Sequence, residues 1–126
     1  MNILLDTHVF VWAVAKSRLL SARAASMIRD PANTIQVSAV SAYEIEFKRR
    51  RDPVLAGLPG DLDEAVRIHR FEWLALRADH AMAAGCLPRL HGDPFDRMIA
   101  AQALVERATV LTRDPLIAVY GAIVVW

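Results

Sequence analysis

Short β-prone runs alternate along this chain with segments of helical period, and acids gather at the junctions. Ile3-Leu4-Leu5 stops at Asp6, Thr34-Ile35-Gln36-Val37 stops at Ser38, and Val110-Leu111-Thr112 gives way to Arg113-Asp114. Strand, helix and strand in succession make the βαβ unit, which dictates a mostly parallel sheet. Right-handed crossovers then place helices on both faces. The expected fold class is α/β, a three-layer α/β/α arrangement around a central, mostly parallel sheet of about five strands.

Spacing and punctuation set the helices. Val9, Phe10, Trp12, Ala13 and Val14 recur near helical period after Asp6. Ser21 caps a second helix through Ile28, closed by Asp30-Pro31. Val40, Tyr43, Ile45 and Phe47 belong to a third, which finishes in Lys48-Arg49-Arg50-Arg51. Residues 52–60 contain Pro53, Gly57, Pro59 and Gly60 and read as a loop. A helix follows over 61–70, then a strand at Trp73-Leu74-Ala75-Leu76, an alanine-rich helix over 78–87 and a turn at Leu90-His91-Gly92. Asp93 caps a helix with Pro94 at its first position, running to about Arg107. Ala122-Ile123-Val124-Val125 is the closing strand. No repeat, low-complexity segment or composition break divides the chain, so residues 1–126 are expected to form one domain.

Hydrophobic residues make up 55% and charged residues 23% of the sequence, enough for a core under two helical layers and too apolar for disorder. A net charge of +1 gives no global attraction to a polyanion, so nucleic acid would need a local patch. The lone cysteine, Cys86, excludes an internal disulfide, and Met1-Asn2 runs into the first strand without a basic leader. No apolar stretch approaches the roughly 18–20 residues that span a bilayer. These features predict a soluble cytoplasmic protein with no membrane role.

In an open parallel sheet the strand-to-helix junctions share one edge. Asp6, Glu44, Asp93, Asp96 and Asp114 are therefore expected to meet in one cleft. Each also has a structural explanation. Ser41-x-x-Glu44 fits a capping box, Asp93-Pro94-x-Asp96 an N-cap with proline at N1, and Asp114-Pro115 another such cap. Asp6, directly at the mouth of the first strand, is the hardest to assign to capping alone. Together they exceed what capping requires, because Asp93 and Asp96 supply two acids where one suffices. Asp96, nearly a turn further on, can point back over the helix end.

Crowded carboxylates repel, and a divalent cation with oxygen ligands is the usual remedy. All-oxygen donors suit Mg²⁺ or Mn²⁺ rather than zinc. His8, His69, His80 and His91 form no H-x-x-x-H pair, so zinc-type spacing is absent. His91, near Asp93, is the histidine expected closest to the cleft.

Leu4-Leu5-Asp6-Thr7-His8, Ser38-x-x-Ser41-x-x-Glu44-Ile45, His91-Gly92-Asp93-Pro94-Phe95-Asp96-Arg97 and Leu111-Thr112-Arg113-Asp114 strongly resemble a PIN domain. More narrowly they look like the VapC toxin of bacterial type II toxin–antitoxin pairs. The resemblance covers nearly the whole chain in the family's order, and H-x-D-P-F-D-R is its most specific part. It implies a metal-dependent endoribonuclease in which Asp6, Glu44, Asp96 and Asp114 bind the metal and carry catalysis. Asp93 is then a supporting acid and helix cap, and Thr7 and Thr112 offer hydroxyls near metal or phosphate. The resemblance also implies a homodimer, inhibited by a VapB-type antitoxin whose tail lies in the cleft. One departure is that Lys48 is followed by Arg49-Arg50-Arg51-Asp52-Pro53, where relatives often carry a glycine-containing turn. It touches the substrate-facing loop and leaves the acids intact.

A metal held there would lower the pKa of a water that attacks phosphorus in line, and would neutralise the phosphate and the leaving oxygen. The resemblance implies products with 5′-phosphate and 3′-hydroxyl ends. RNA entering an acidic pocket needs cations around it, for which Lys48, Arg49, Arg50, Arg51, Arg89, Arg97 and Arg113 are the candidates. The plain reading of 48–51 is a solvated helix end, and that of Arg97 an ion pair with Asp96. Phe10, Trp12, Tyr43 and Phe47 are expected in the core or on a dimer face, Phe95 beneath the Asp93 helix, and Trp126 over the sheet's edge.

Other folds also begin strand–Asp. A haloacid-dehalogenase-type phosphatase wants a second aspartate where His8 stands. A response-regulator receiver wants paired acids after the first strand and a lysine where Asp114 stands. A DNA-cutting relative is separated from an RNA-cutting one only by assay. The intact acids speak against a degenerate PIN domain that only binds a partner.

Overall fold

The computed structural model describes residues 1–90 and 92–126, so His91 lies outside the described residues. Its strands are β1 (Asn2–Leu5), β2 (Thr34–Ser38), β3 (Glu72–Leu74), β4 (Thr109–Leu111) and β5 (Val124–Val125). They form one sheet in the order β3-β2-β1-β4-β5 with every pairing parallel. β1 is central, and the chain departs from it in both directions, first to β2 and β3, later to β4 and β5. That reversal opens a crevice at the carboxyl ends of β1 and β4, where Leu5 pairs with Leu111.

The helices are α1 (Thr7–Ala15), α2 (Ala22–Arg29), α3 (Ala39–Lys48), α4 (Pro53–Ala56), α5 (Leu62–Ile68), α6 (Ala78–Cys86) and α7 (Pro94–Glu106), with a 3₁₀ helix at Pro115–Tyr120. Alternation along β1 divides the core between two layers. Ile3 and Leu5 join Ile35, Val37 and Leu111 beneath Val9, Phe10, Trp12, Ala24, Ile45 and Val66. Leu4 points the other way, with Leu74 and Val110, to Ile99, Ala100 and Ala103 of α7. The three-layer expectation holds. Ile3, Leu4 and Leu5 are each 0% exposed. Each fully buried large side chain contributes about 1.5–3 kcal/mol.

Several expected boundaries change: β3 ends at Leu74 and not Leu76, and β5 covers only Val124–Val125. Residues 52–60 are not loop throughout, because Asp52 accepts the Val54 N–H at 3.0 Å and Pro53 opens the single turn of α4. α3 ends at Lys48 with Arg49 as its C-cap, so Arg50 and Arg51 fall in the following turn. Among the described residues no helix is long and apolar enough to cross a membrane.

Candidate active site

Asp6 is the first residue beyond β1, and its amide N–H donates to the Leu111 carbonyl at 3.2 Å. It caps α1, with Oδ1 accepting the Val9 N–H at 2.9 Å. Oδ2 accepts the Thr112 hydroxyl. The same Thr112 oxygen accepts the Asp114 N–H at 2.9 Å, so one hydroxyl ties the ends of β1 and β4 together. Asp114 in turn caps the 3₁₀ helix by accepting the Leu116 N–H at 2.9 Å.

Asp6 is buried, and among the described residues neither Asp6 nor Asp114 makes a salt bridge. Burial pushes the Asp6 carboxyl above the ordinary carboxylate value, and the Asp114 charge adds to the rise. The hydrogen bonds from Thr112 and Val9 and the nearby His8 oppose it without cancelling it.

The second group of acids is neutralised differently. Glu44 is buried inside α3, and its Oε2 accepts from Lys48 Nζ at 2.6 Å, one turn further on. The hydrogen bond to Glu44 holds the Lys48 ammonium above its ordinary pKa against partial burial, with the charges of Glu44, Asp93 and Asp96 adding to it. Asp93 caps α7 by accepting the Phe95 and Asp96 N–H groups at 2.8 and 3.4 Å. Asp96 is therefore the additional acid in that first turn, as the spacing requires.

Buried hydroxyls and an amide brace the two groups. Thr7 Oγ1 and Ser41 Oγ stand 2.9 Å apart, joining α1 to α3. The Ser38 hydroxyl bonds Gln102, whose Nε2 donates to the Ala75 carbonyl at 3.3 Å. That pins α7 to the ends of β2 and β3. The capping box at Ser41 and Glu44 is not formed. Ser38 caps α3 by accepting the Val40 N–H at 3.0 Å, which leaves Glu44 unused by any cap.

The acids thus reach one sheet edge as two groups. Among the described residues no three Asp, Glu, His or Cys side chains are gathered as a ready-made metal-ligand set. Within these groups Lys48 balances Glu44, and Thr112 engages Asp6. The donor chemistry nevertheless fits a hard divalent cation, because it is all oxygen and Asp6 and Asp114 carry no balancing salt bridge among the described residues.

The basic candidates divide sharply. Arg49 donates to the Leu58 carbonyl at 3.1 Å and pairs with Glu46 at 2.8 Å, a brace between α3 and the segment after α4. The role of Arg97 differs from the ion pair with Asp96 that adjacency suggested. Its guanidinium donates to the carbonyls of Ala84, Leu87 and Pro88 at 2.8, 2.9 and 2.7 Å, closing the carboxyl end of α6. Arg50, Arg51, Arg89 and Arg113 are exposed. Arg113 lies over the Trp12 ring at 4.8 Å.

Of the aromatics, Phe10 and Trp12 join the core, and Trp126 packs edge-on against Trp12 at 5.8 Å. Tyr43 and Phe47 do not: they are 60% and 68% exposed and stack on each other, because Val40 and Ile45 take the buried side of α3. Phe95 is half-buried, with Tyr43 beside it at 5.9 Å and Lys48 at 5.7 Å. Sequence reasoning missed the wall that His8, Trp12 and Arg113 make beside Asp6. The available signal was His8 and Trp12 one turn apart on a helix that starts at the strand mouth.

The PIN domain family model matches residues 3–122 of this sequence. The chain belongs to the PIN-domain family. Among relatives, Ribonuclease VapC22 of Mycobacterium tuberculosis is 28% identical over 124 residues, spanning 90% of this chain and 87% of that protein. In fold, this PIN domain matches a chain of VapBC2 from Rickettsia felis, solved bound to a DNA fragment from the promoter, with TM-score 0.75 at 21% identity over 100% of this chain and 99% of that one. It also matches a chain of FitAcB from Neisseria gonorrhoeae with TM-score 0.64 at 20% identity over 97% of this chain and 95% of that one.

Proposed function

We propose that this PIN domain is a divalent-metal-dependent endoribonuclease, the toxin of a VapBC-type pair, which hydrolyses RNA phosphodiester bonds in the cytoplasm. The observation that carries the reading is Asp6, buried at the carboxyl end of the central strand beside Asp114, with no salt bridge among the described residues. The name of its mycobacterial relative and the VapBC complexes among its structural neighbours support the same reading.

Asp6, Glu44, Asp96 and Asp114 would hold Mg²⁺ or Mn²⁺. When bound, such an ion supplies an activated water and charge neutralisation at the scissile phosphate. The chain's own residues do the rest. Thr112 fixes the orientation of Asp6 and links it to Asp114. Asp93 fixes the start of α7 and so the position of Asp96. Lys48 keeps Glu44 balanced and provides a cation that can turn to an incoming phosphate. A VapB-type antitoxin would cover this edge, and the toxin would act as a homodimer.

The test is cleavage of total cellular RNA by the purified protein with Mg²⁺ or Mn²⁺ and with excess EDTA, mapping the new ends. Cleavage leaving 5′-phosphate and 3′-hydroxyl ends, abolished by EDTA, is expected. No cleavage with either metal, or undiminished cleavage in EDTA, contradicts the proposal.

A further inference from the structure

Beside Asp6 the sheet edge carries a pocket whose acidic side is the proposed metal site, and whose His8, Trp12 and Arg113 walls capping and metal ligation leave unexplained. It encloses about 200 Å³ between Asp6, His8, Trp12, Arg113 and Asp114. Sites for drug-sized ligands run to roughly 300–1,000 Å³, so this one has room for a single ring system. Its walls are flat. Trp12 is backed by Trp126 at 5.8 Å and flanked by the His8 imidazole at 5.9 Å. Arg113 is laid over the Trp12 ring at 4.8 Å, which favours a guanidinium plane beside the pocket. His8 and Arg113 remain exposed and can be reached by a ligand.

We propose that this pocket is a nucleobase subsite, taking one unpaired base of the RNA next to the phosphate to be cut. The inference rests on the ribonuclease reading above and adds base selectivity to it. A second phosphate is disfavoured there, because two of the five lining residues are carboxylates. A neutral base meets no such repulsion. Unpaired bases are held by stacking on aromatic rings and guanidinium planes and by hydrogen bonds along their edges. The Arg113 fork offers adjacent donors, which match the O6 and N7 acceptors of guanine. Guanine is therefore the base the pocket favours.

The experiment has two arms. In the first, wild type, Arg113→Lys, Arg113→Ala and His8→Ala cut a randomised oligoribonucleotide pool with Mn²⁺, and the ends are sequenced. Wild type is expected to prefer guanine at one position adjoining the cut. Arg113→Lys keeps the charge but loses the fork, and should reduce that preference about tenfold, with total cleavage falling far less. An unchanged preference in Arg113→Lys, no preference in wild type, or equal slowing of all sequences overturns the subsite.

In the second arm guanosine, which lacks phosphate, is titrated into the protein in EDTA, and the Trp12 and His8 resonances are followed by NMR. Shifts at both that weaken in Arg113→Ala support the pocket, whether or not RNA is cut. Their absence overturns it. A wild type that binds guanosine there but cuts no RNA contradicts the ribonuclease reading alone. Loss of antitoxin affinity in Arg113→Ala, with guanosine binding and base preference unchanged, assigns the surface to a protein partner and overturns the subsite.

Discussion

The two ends of the acidic edge meet the same electrostatic problem in opposite ways. At Asp6 and Asp114 negative charge is held by a hydroxyl and backbone amides, and the Asp6 carboxyl is pushed up. At Glu44, Asp93 and Asp96 a lysine one turn along α3 supplies the balancing charge. Burial dominates at the first end, and an internal cation dominates at the second. Substitutions that look equivalent should therefore differ in sign at the two ends.

The largest effect tests that difference. Asp6→Asn should lower RNA cleavage by about 10²-fold or more, beyond the roughly 10–100-fold typical of a residue that only orients a ligand. Its metal-free melting temperature should hold or rise, since asparagine caps α1 equally well and the buried charge is gone. Glu44→Gln should lose a comparable amount of cleavage but melt lower, because Lys48 loses its partner. The Lys48 left behind is half-exposed and can turn to water, so the loss should be on the order of 1 kcal/mol, or a shift of a few degrees. Parallel rate assays and thermal melts would show whether the signs diverge.

Next in size is the hydroxyl that links Asp6 to Asp114. Thr112→Val should reduce cleavage about 10–100-fold, and Thr112→Ser should restore most of it. Equal losses in both variants would mean that packing matters there, not the hydrogen bond.

The pH dependence is smaller and has a definite sign. With the folded Asp6 pKa above the ordinary 3.8, the folded state keeps this proton at pH values where the unfolded chain has lost it. Its contribution to stability is therefore greatest at low pH and declines as pH rises from 3.8 through the folded pKa. Urea midpoints across that window should fall less steeply, relative to other groups, in Asp6→Asn than in wild type. On stability alone, Lys48→Met leaves the buried Glu44 carboxylate without its cation and should cost about 1–3 kcal/mol at neutral pH, and less in high salt. Lys48 stays charged there, because its folded pKa lies above 10.5.

What could be read from sequence was local. Ile3-Leu4-Leu5 followed by Asp6, and Asp93-Pro94 ahead of a helical period, state their geometry within a few residues, and both are as expected. The cap of α3 was not legible in that way. Ser38 and Ser41 both precede apolar residues, and only the pairing of Ser38 with Leu74 and its bond to Gln102 set where β2 stops. Arg97 shows the same limit, since the carbonyls it binds belong to the end of α6. The bond between Glu44 and Lys48 was readable from their spacing of one turn. Its consequence, a partly neutralised acidic edge, was not, because it depends on how α3 and α7 stand beside each other.

Whether the two groups act as one centre is tested most directly by calorimetric titration of Mn²⁺ into wild type, Asp6→Asn and Asp96→Asn, one variant from each group. Acids that share a bound ion should lose Mn²⁺ affinity together, by about tenfold or more in each variant, with folding intact by circular dichroism. Wild-type affinity in either variant, or no Mn²⁺ binding by the wild-type protein, would contradict a shared centre.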